Sequence, residues 1–298
     1  LAKQYAMEAV RDGVMETADD SALFQSWGSI TVINPLEKIW NGYSDTRMGA
    51  SMDSYLNGYN DPRLPVYFQP VTDGDNKGEY RGVANGMPNP QQEDYKAMSS
   101  PNVQEKSTDS PLRWMMASEV AFLRAEGAMR GWTAEMGGTA EEFYNKGIEL
   151  SFLENGLSAD AAARYAADET SKPTDFTDVS AANTKYNISA LGKIAIKWNS
   201  GASEEEQLER IITQKWIAIF PLGNEAWAEY RRTGYPKLMP AKDNKSGGTV
   251  NSKYGMRRLP YPSEEYSENR TNVEAAITSL GGPDNGGTRT WWDCKPLN

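Results

Sequence analysis

Two prolines on either side of Tyr261 constrain the C-terminal part of this chain, in the run Met256-Arg257-Arg258-Leu259-Pro260-Tyr261-Pro262. Proline fixes its own φ and moves the residue before it away from the helical region, so the segment has to be extended. The run shows no helical period, and side-chain contacts therefore have to hold it on another part of the molecule. It predicts a strap that crosses a body built from other elements.

The body under the strap is predicted to be helical. Ser110 and Pro111 have the residue types of an N-cap and a first-turn proline, and the apolar spacing after them predicts a helix to about residue 131. Thr139 and Glu142 have the spacing of a capping box before a second helix, which Gly156 can end. The short connection between the two predicts a helical hairpin.

Three more helical segments are predicted further along the chain. Ser203 and Glu206 have the spacing of another capping box, in front of a long apolar stripe that Pro221 interrupts. Because proline breaks the helical ladder, the chain is expected to resume beyond it as a redirected helix. Thr271 and Glu274 have the same capping spacing before the last short helix.

The region before the predicted hairpin has a different character. Residues 61–110 are rich in Pro, Gly, Asn and Gln and show no sustained period, which predicts an extended loop with a short strand at residues 65–68. Residues 24–60 are expected to be helical pieces joined by long turns. A loop of this length in a compact protein is usually functional or disordered.

Composition argues against several classes of function. The chain has 298 residues, no histidine and a net charge of −10. Without histidine, the commonest general base, the Ser-His and Cys-His pairs and the commonest zinc ligand are missing. The negative charge would repel nucleic acid, and the single cysteine, Cys294, cannot form an internal disulfide. We expect no catalysis, no cofactor and no nucleic-acid partner.

Two groups of charged residues admit alternative interpretations. Glu119 and Glu126 could be the carboxylate pair of a glycoside hydrolase or buried ion-pair partners. Seven residues apart on one helix they would lie about 10 Å from each other with no cleft implied, which favours ion pairs. Arg257 and Arg258 could bind an anionic sugar or phosphate, but pairing with helix carboxylates suits the forked guanidinium better.

The run Asp-Gly-Asp-Asn-Lys-Gly at residues 73–78 resembles the start of a calcium-binding loop. Two positions argue against this interpretation. Lys77 stands where an oxygen ligand is needed, and Ala84 stands where the bidentate acid is needed. An Asp-rich turn is the simpler interpretation. We therefore predict no metal site.

Four parts of the chain resemble one known family in the expected order. They are residues 61–65 together with 80–86, residues 111–126 with their final Ala-Glu pair, residues 209–236, and residues 256–265 together with Trp291-Trp292-Asp293. These segments are similar to the SusD/RagB-type outer-membrane lipoproteins. A single motif of this sort would be weak, and the ordered set is much stronger.

The resemblance implies both a fold and a function. The fold would be mainly α, a tetratricopeptide-like helix-pair scaffold with long irregular loops. The function would be capture of glycans at the bacterial cell surface, without catalysis, for delivery to a TonB-dependent outer-membrane porin of the SusC type. The alternative is a helical scaffold or peptide-binding module of the RagB type.

The resemblance also implies a longer parent protein. Leu1 begins within a helical pattern with no capping residue before it, as expected for the C-terminal portion of such a protein. We expect one domain over residues 1–298, with a helix and ligand-facing loops in 1–110 and the scaffold and strap in 111–298. Family members carry a signal peptide and a lipid-acceptor cysteine, which implies a surface-exposed, lipid-anchored parent in the outer membrane.

The loop region supplies the candidate ligand residues. Sugars need flat apolar faces for their C–H patches and amide or guanidinium groups for their hydroxyls. Loops can present such groups because a scaffold holds them outside the core. The best candidates are Trp40, Tyr43, Tyr80, Arg81 and Asn85. Further candidates of the same types are Asn41, Arg47, Tyr55, Tyr59, Tyr67 and Tyr95.

Overall fold

The computed structural model describes residues 1–87, 92–102 and 111–296, and most of its regular structure is helical. The α-helices, in chain order, are α1 Ala2–Asp12, α2 Pro35–Glu37, α3 Ala50–Gly58, α4 Leu64–Tyr67, α5 Gln92–Tyr95, α6 Ala117–Gly127, α7 Thr133–Met136, α8 Ala140–Glu154, α9 Ala159–Ala166, α10 Glu204–Ala218, α11 Gly223–Thr233, α12 Ser263–Glu268 and α13 Arg270–Leu280. Two π-helical turns, Lys38–Tyr43 and Ala128–Trp132, and two 3₁₀ turns, Ala18–Asp20 and Ala181–Tyr186, complete the helical segments. The mainly α prediction is confirmed.

Helices α6 and α8 form the predicted hairpin, and α9 and α10 pack on it. The capping box of α8 is present in both directions, because Thr139 Oγ1 accepts from the Glu142 N–H at 3.2 Å and a Glu142 carboxylate oxygen accepts from the Thr139 N–H at 2.7 Å. Gly147 lets the two helices approach closely, since a Cβ there would lie 2.7 Å from the Phe122 ring. The main hydrophobic core lies between these helices and α3.

The helix predicted directly after Pro111 is wrong in its first turn. Residues Leu112–Met115 form strand β2, which pairs antiparallel with strand β1, Ala22–Phe24, and α6 begins only at Ala117. A ladder with a distant segment has overridden the local helical signal. Ser110, the predicted N-cap, lies outside the described residues.

Two smaller predictions are also wrong. The strand expected at residues 65–68 is the short helix α4, whose first turn accommodates a proline, and only Phe68 forms an isolated bridge, with Pro101. Thr271 lies inside α13, which begins at Arg270. Glu274 pairs with Arg270 at 2.7 Å and has no capping role.

The break at Pro221 is confirmed. Helix α10 ends at Ala218 and α11 begins at Gly223, so the chain turns between them. Ser203 caps α10, because its Oγ accepts from the Glu206 N–H at 3.2 Å, but Glu206 pairs with Arg210 at 2.9 Å, so only the N-cap half of the predicted capping box is found. The redirected α11 carries Glu225 and Glu229 back toward α10.

The strap, residues 256–262, is extended and crosses α11 as predicted. Trp227 Nε1 donates to the Met256 carbonyl at 2.9 Å, and Arg231 Nη1 donates to the Arg257 carbonyl at the same distance. The strap arginines pair with carboxylates, as expected, but these belong to the C-terminal segment and not to the helices. Arg257 binds Asp293 at 2.7 Å, and Arg258 binds Asp284.

Glu119 and Glu126 are buried ion-pair partners, which confirms the favoured interpretation. Glu126 accepts from both Arg232 and Arg130 at 2.7 Å. Glu119 lies 3.2 Å from Lys215 Nζ, whose side chain is 1% exposed. Glu225 at 3.2 Å and Glu229 at 3.5 Å complete the set of carboxylates around this ammonium.

None of the helices in the described part of the chain has the length and apolar content needed to cross a bilayer.

Candidate functional site

The floor of the candidate site is made of irregular segments that are tied together by backbone hydrogen bonds. Val83 N–H donates to the Met48 carbonyl at 2.8 Å, and Ala50 N–H donates to the Val83 carbonyl at 2.9 Å. Ser99 joins the same set, because its carbonyl accepts from Met48 N–H at 2.8 Å and its N–H donates to the Arg81 carbonyl at 3.1 Å. The segments therefore form a fixed platform although they contain little regular structure.

Trp40 stands at one side of this platform. It belongs to the π-helical turn Lys38–Tyr43, and its indole stacks on Phe220 with a centroid distance of 6.3 Å and an interplanar angle of 6°. Phe220 itself packs on Tyr67 and Phe68, at 4.8 and 5.2 Å between ring centroids. The break between α10 and α11 thus places an aromatic support under the loop tryptophan.

A cavity of about 300 Å³ opens beside Trp40, and we call it the Trp40 cleft. Its lining combines aromatic rings, methionines, a guanidinium and an amide, from residues Trp40, Thr46, Arg47, Met48, Gly49, Ser51, Met52, Phe68, Asn85, Pro101, Trp216, Phe220, Leu238 and Met239. A second cavity of about 500 Å³ adjoins it and shares Arg47, Met48, Gly49 and Asn85. The volumes lie in the range of small-molecule sites.

Asn85 is exposed and lines both cavities. It sits in a turn whose next residue, Gly86, has a φ of 72°. A Cβ at Gly86 would lie 2.6 Å from the Cβ of Ala241, and the Gly86 carbonyl accepts from Asp243 N–H at 3.1 Å. Glycine is needed there for both reasons, and the contact fixes the turn that presents the Asn85 amide.

Arg47 forms the polar wall between the two cavities. Its Nη2 and Nε donate to the Lys96 carbonyl at 2.7 and 3.2 Å, and its Nη1 donates to the carbonyls of Ser44 and Thr46. Burial lowers the pKa of the Arg47 guanidinium, and the nearby Asp45 carboxylate partly offsets this effect. The group stays charged at neutral pH because the ordinary pKa of arginine is so high.

Of the five leading candidates, the structure brings Trp40 and Asn85 together in the cleft. Tyr43 is on the same turn as Trp40 but is 61% exposed, with Lys38 Nζ 5.8 Å from its ring centroid. Tyr80 is half-buried and packs against the main core. Asn41 has a side chain outside the described part of the structure.

Arg81 is engaged in internal contacts. Its Nη2 donates to the Thr177 carbonyl at 2.6 Å, and its Nε lies 3.7 Å from an Asp53 oxygen. Asp53 in turn accepts from Gly82 N–H at 2.6 Å. Burial raises the pKa of Asp53, and these donors offset only part of the rise. These contacts give Arg81 a positioning role under the platform.

The four further tyrosine candidates are buried anchors. Tyr59 OH donates to the Ile194 carbonyl at 3.2 Å, and Tyr67 OH donates to the Ile217 carbonyl at 3.1 Å. Tyr55 and Tyr95 are likewise 1% and 5% exposed. Burial raises the pKa of Tyr67, as it does for any phenol that loses water.

The sequence did not single out the cleft residues that come from distant segments. Phe220, Trp216 and Met239 reach the cleft only because α10 and the segment after α11 fold against α3. The sequence does contain one indication of this arrangement. Pro221 ends the helical pattern directly after Phe220, so the Phe220 ring no longer follows the apolar stripe of α10.

The cleft is suited to binding. Among its described lining residues there is no carboxylate, and the adjoining cavity contributes only Asp45. General acid–base chemistry on a glycosidic bond needs two carboxyl groups across the bond. Nor do the described residues contain a group of three or more side chains able to hold a metal ion, the turn at 73–78 included.

A family model described as SusD-like, covering the SusD and RagB outer-membrane lipoproteins, matches residues 1–293. The chain belongs to the SusD-like family. The resemblance of the four ordered segments is thereby confirmed. No curated protein sequence matches the chain significantly.

Solved structures of SusD homologues superpose closely on this SusD-like chain. A chitin-binding SusD homologue from Flavobacterium johnsoniae is 41% identical, with a TM-score of 0.90, and the match covers 99% of this chain and 59% of that one. A SusD homologue from Bacteroides thetaiotaomicron is 42% identical, with a TM-score of 0.89 and coverage of 99% and 61%. A SusD homologue from Bacteroides uniformis is 44% identical, with a TM-score of 0.85 and coverage of 99% and 60%.

The chain thus spans about three fifths of the length of the homologues that it matches.

Proposed function

We propose that the protein captures glycans at the surface of the bacterial outer membrane, without cleaving them, and that the Trp40 cleft is the binding site. Membership of the SusD-like family supports the location and the type of function. The observation that carries the proposal is the pairing of an aromatic wall with the Asn85 amide and the Arg47 guanidinium in one cleft.

A sugar ring in this cleft would meet complementary groups on two sides. Its C–H face would lie against aromatic rings such as Trp216 or Trp40, and its hydroxyls would meet the amide of Asn85 and the hydroxyl of Thr46. The adjoining cavity gives room for a second sugar unit beyond Arg47. Tyr43, Tyr80 and Arg81 remain predicted ligand residues, and the contacts of Arg81 favour a supporting role for that residue.

Neutral oligosaccharides are the first ligands to test, since one homologue at 41% identity is described as chitin-binding. We expect calorimetric titration of the full-length protein to show binding of at least one oligosaccharide derived from chitin, starch, xylan or mannan. Incubation with the same compounds should release no new reducing ends. Binding of peptides without any oligosaccharide would instead favour a peptide-binding module of the RagB type.

Delivery to a transporter is the second part of the proposal. We propose that the full-length protein is lipid-anchored and passes its glycan to a TonB-dependent porin of the SusC type, with residues 1–298 forming the C-terminal portion of one domain. Family membership supports this arrangement. Purification of the tagged full-length protein from detergent-solubilised outer membranes should recover such a porin. Repeated absence of the porin, under conditions in which another lipoprotein keeps its partner, would contradict it.

A further inference from the structure

A third cavity, of about 560 Å³, lies on the other side of the segment that follows α11. Its lining contains five cationic residues, three tyrosines and one carboxylate, in the set Leu191, Glu205, Tyr230, Arg231, Gly234, Tyr235, Lys237, Leu238, Lys253, Tyr254, Arg257, Lys295 and Pro296. The whole chain carries a net charge of −10. The cavity is therefore a positively charged region on a protein whose net charge is negative.

The ring of Tyr235 lies close to two of the cationic side chains. Lys295 Nζ is 4.0 Å and Lys237 Nζ is 4.5 Å from the centroid of its ring. The Tyr235 hydroxyl donates to Glu205 at 2.6 Å, and Glu205 also pairs with Lys295. Glu205 therefore neutralises Lys295. Lys237 is exposed and forms no ion pair within 4 Å in the part of the chain that the structure describes, although its charge acts at longer range on the carboxylates of Glu205 and Glu209.

The two arginines carry the positive charge into the wall of the cavity. Arg257 is neutralised by Asp293 at 2.7 Å, and the Arg231 guanidinium donates hydrogen bonds to the carbonyls of Trp227 and Arg257. Burial lowers the pKa of the Arg231 guanidinium, and the neighbouring Arg257 lowers it further. Burial is the larger cause of the lowered pKa, and the Asp293 carboxylate partly offsets it.

We propose that this cavity binds an anionic sugar residue, one that carries a carboxylate or a sulfate, with Lys237 as the group that faces the anion. The proposal rests on the proposed role in glycan capture and names a class of glycan for it. The half-buried rings of Tyr230 and Tyr254 would pack against the sugar ring, and the ammonium of Lys237 would donate to the anionic group, as in other charge-assisted hydrogen bonds.

The position of the cavity relative to the Trp40 cleft supports a glycan ligand. Leu238 lines both cavities, with Lys237 on the side of one and Met239 on the side of the other, so the segment Lys237–Met239 lies between them. This segment is fixed to α3, because Tyr55 OH accepts from Lys237 N–H at 3.1 Å and Ser51 Oγ accepts from Met239 N–H at 2.9 Å. A branched glycan could occupy both cavities across a rigid divider.

The test uses the full-length protein and ligands matched in everything except charge. Tetragalacturonate is compared with its methyl ester, which has the same sugar ring without the charge, and with a sulfated oligosaccharide that has no carboxylate. We expect the acid or the sulfated compound to bind at least about ten-fold more tightly than the ester, which is the effect of one charge-assisted hydrogen bond. Which of the two binds identifies the anionic group.

Variants of two exposed lysines separate local from long-range charge effects. Lys237→Gln should weaken binding of the anionic ligand about ten-fold, and Lys237→Arg should retain most of it. Lys172→Gln removes the same charge from an exposed lysine that does not line this cavity, and it should change the affinity less than two-fold. Equal affinity for acid, ester and sulfated compound, or equal losses in Lys237→Gln and Lys172→Gln, would overturn the proposal.

Binding of a neutral oligosaccharide is measured on the same variants. If it is retained in Lys237→Gln but the anionic ligand shows no preference, the anion site fails and glycan capture stands. If no oligosaccharide of any charge binds, glycan capture itself fails and this inference fails with it.

Discussion

In the helical scaffold Lys215 is 1% exposed and lies within 3.5 Å of three carboxylates, whereas in the loop region Arg47 is half-buried and donates to backbone carbonyls. In the scaffold each buried charged group is paired with a group of opposite charge, so its stability depends on that partner. The loop region satisfies its cation with the backbone, which leaves the neighbouring Asn85 amide free to face a cleft.

The comparison separates two kinds of residue by the effect of removing them. Loss of a scaffold charge leaves a buried ion without a counterion and lowers the stability of the whole molecule. Loss of an exposed cleft residue such as Asn85 leaves the stability unchanged and removes a contact with ligand. The predictions below test this separation.

The largest effect is expected for Lys215→Met. Glu119 would then be buried without its ion-pair partner, while Glu229 keeps its pair with Arg232 at 2.7 Å, and we expect a cost of about 3–5 kcal/mol in the free energy of unfolding. Urea denaturation monitored by circular dichroism measures it. Lys146→Gln is the matched control, because Lys146 pairs with Glu149 on the surface and should change stability by less than about 0.5 kcal/mol. Similar losses in both variants would remove the distinction between buried and surface pairs.

A pH-dependent effect is expected for Glu126→Gln. Burial raises the pKa of Glu126, but the hydrogen bonds and charges of Arg232 and Arg130 outweigh it, so the pKa lies below its usual 4.5. The carboxylate therefore contributes stability above pH 4.5, and this contribution is lost as the pH falls through the lower pKa of the folded state. Urea denaturation should show that the variant loses about 3 kcal/mol at pH 7 and progressively less below pH 4.

Glu119, on the same helix α6, is expected to respond in the opposite direction. Burial raises its pKa, and Lys215 offsets only part of the rise. Protonation of Glu119 thus favours the folded state, so its contribution is present in acid and declines as the pH rises through the raised pKa. Urea denaturation of Glu119→Gln should therefore show its largest loss relative to the parent in acid and a smaller one at neutral pH. If the loss instead grew toward neutral pH, as it is expected to for Glu126→Gln, the two carboxylates would not differ as described.

A smaller effect is expected for Arg81→Gln. Its bond to the Thr177 carbonyl and its proximity to Asp53 would be lost, which should lower stability by about 1–2 kcal/mol while the glycan affinity stays within two-fold of the parent. Thermal denaturation and calorimetric titration measure the two quantities. If the melting temperature stayed unchanged and the glycan affinity clearly fell, Arg81 would be a ligand residue. The binding site would then lie nearer to Tyr80 and Arg81, two of the residues predicted from the sequence.

Much of the scaffold could be predicted because its signals are local. The capping box at Thr139 and the helix break at Pro221 depend on residues within one or two turns of each other. The errors occur where a distant segment decides the outcome. Leu112–Met115 became a strand because β1 pairs with it, and no residue near Pro111 carries that information.

The candidate site was harder to predict for the same reason. Tyr55 and Trp40 look alike in sequence, as aromatics among polar residues. Tyr55 is buried because α10 and the segment at Lys237 cover it, whereas Trp40, although only 7% exposed, borders a cleft beside Phe220. Composition can name the residue types that suit a sugar, but the packing of distant segments decides which of them reach it.

The exposure of Trp216 changes the design of mutational tests. Trp216 lies in the apolar stripe of α10, which predicts a core residue, and truncation of its side chain should lower the stability by leaving a cavity. It does pack edge-on against Tyr55, at 5.7 Å between ring centroids, yet it also lines the Trp40 cleft. A change at Trp216 would therefore mix stability with binding, and Phe152, fully buried in the scaffold, is the cleaner stability probe.

The most direct test of the account is calorimetric titration of the tightest-binding neutral oligosaccharide into the parent, Asn85→Ala, Trp40→Ala and Trp291→Ala proteins. Asn85 is exposed, so its loss should weaken binding about five- to ten-fold with an unchanged melting temperature. Trp40→Ala should weaken binding at least ten-fold and also lower the melting temperature, since Trp40 is 7% exposed. Trp291→Ala removes an indole that is 89% exposed and outside the cleft, and it should bind like the parent. Parent-like affinity in both Asn85→Ala and Trp40→Ala would contradict the assignment of the Trp40 cleft as the glycan site.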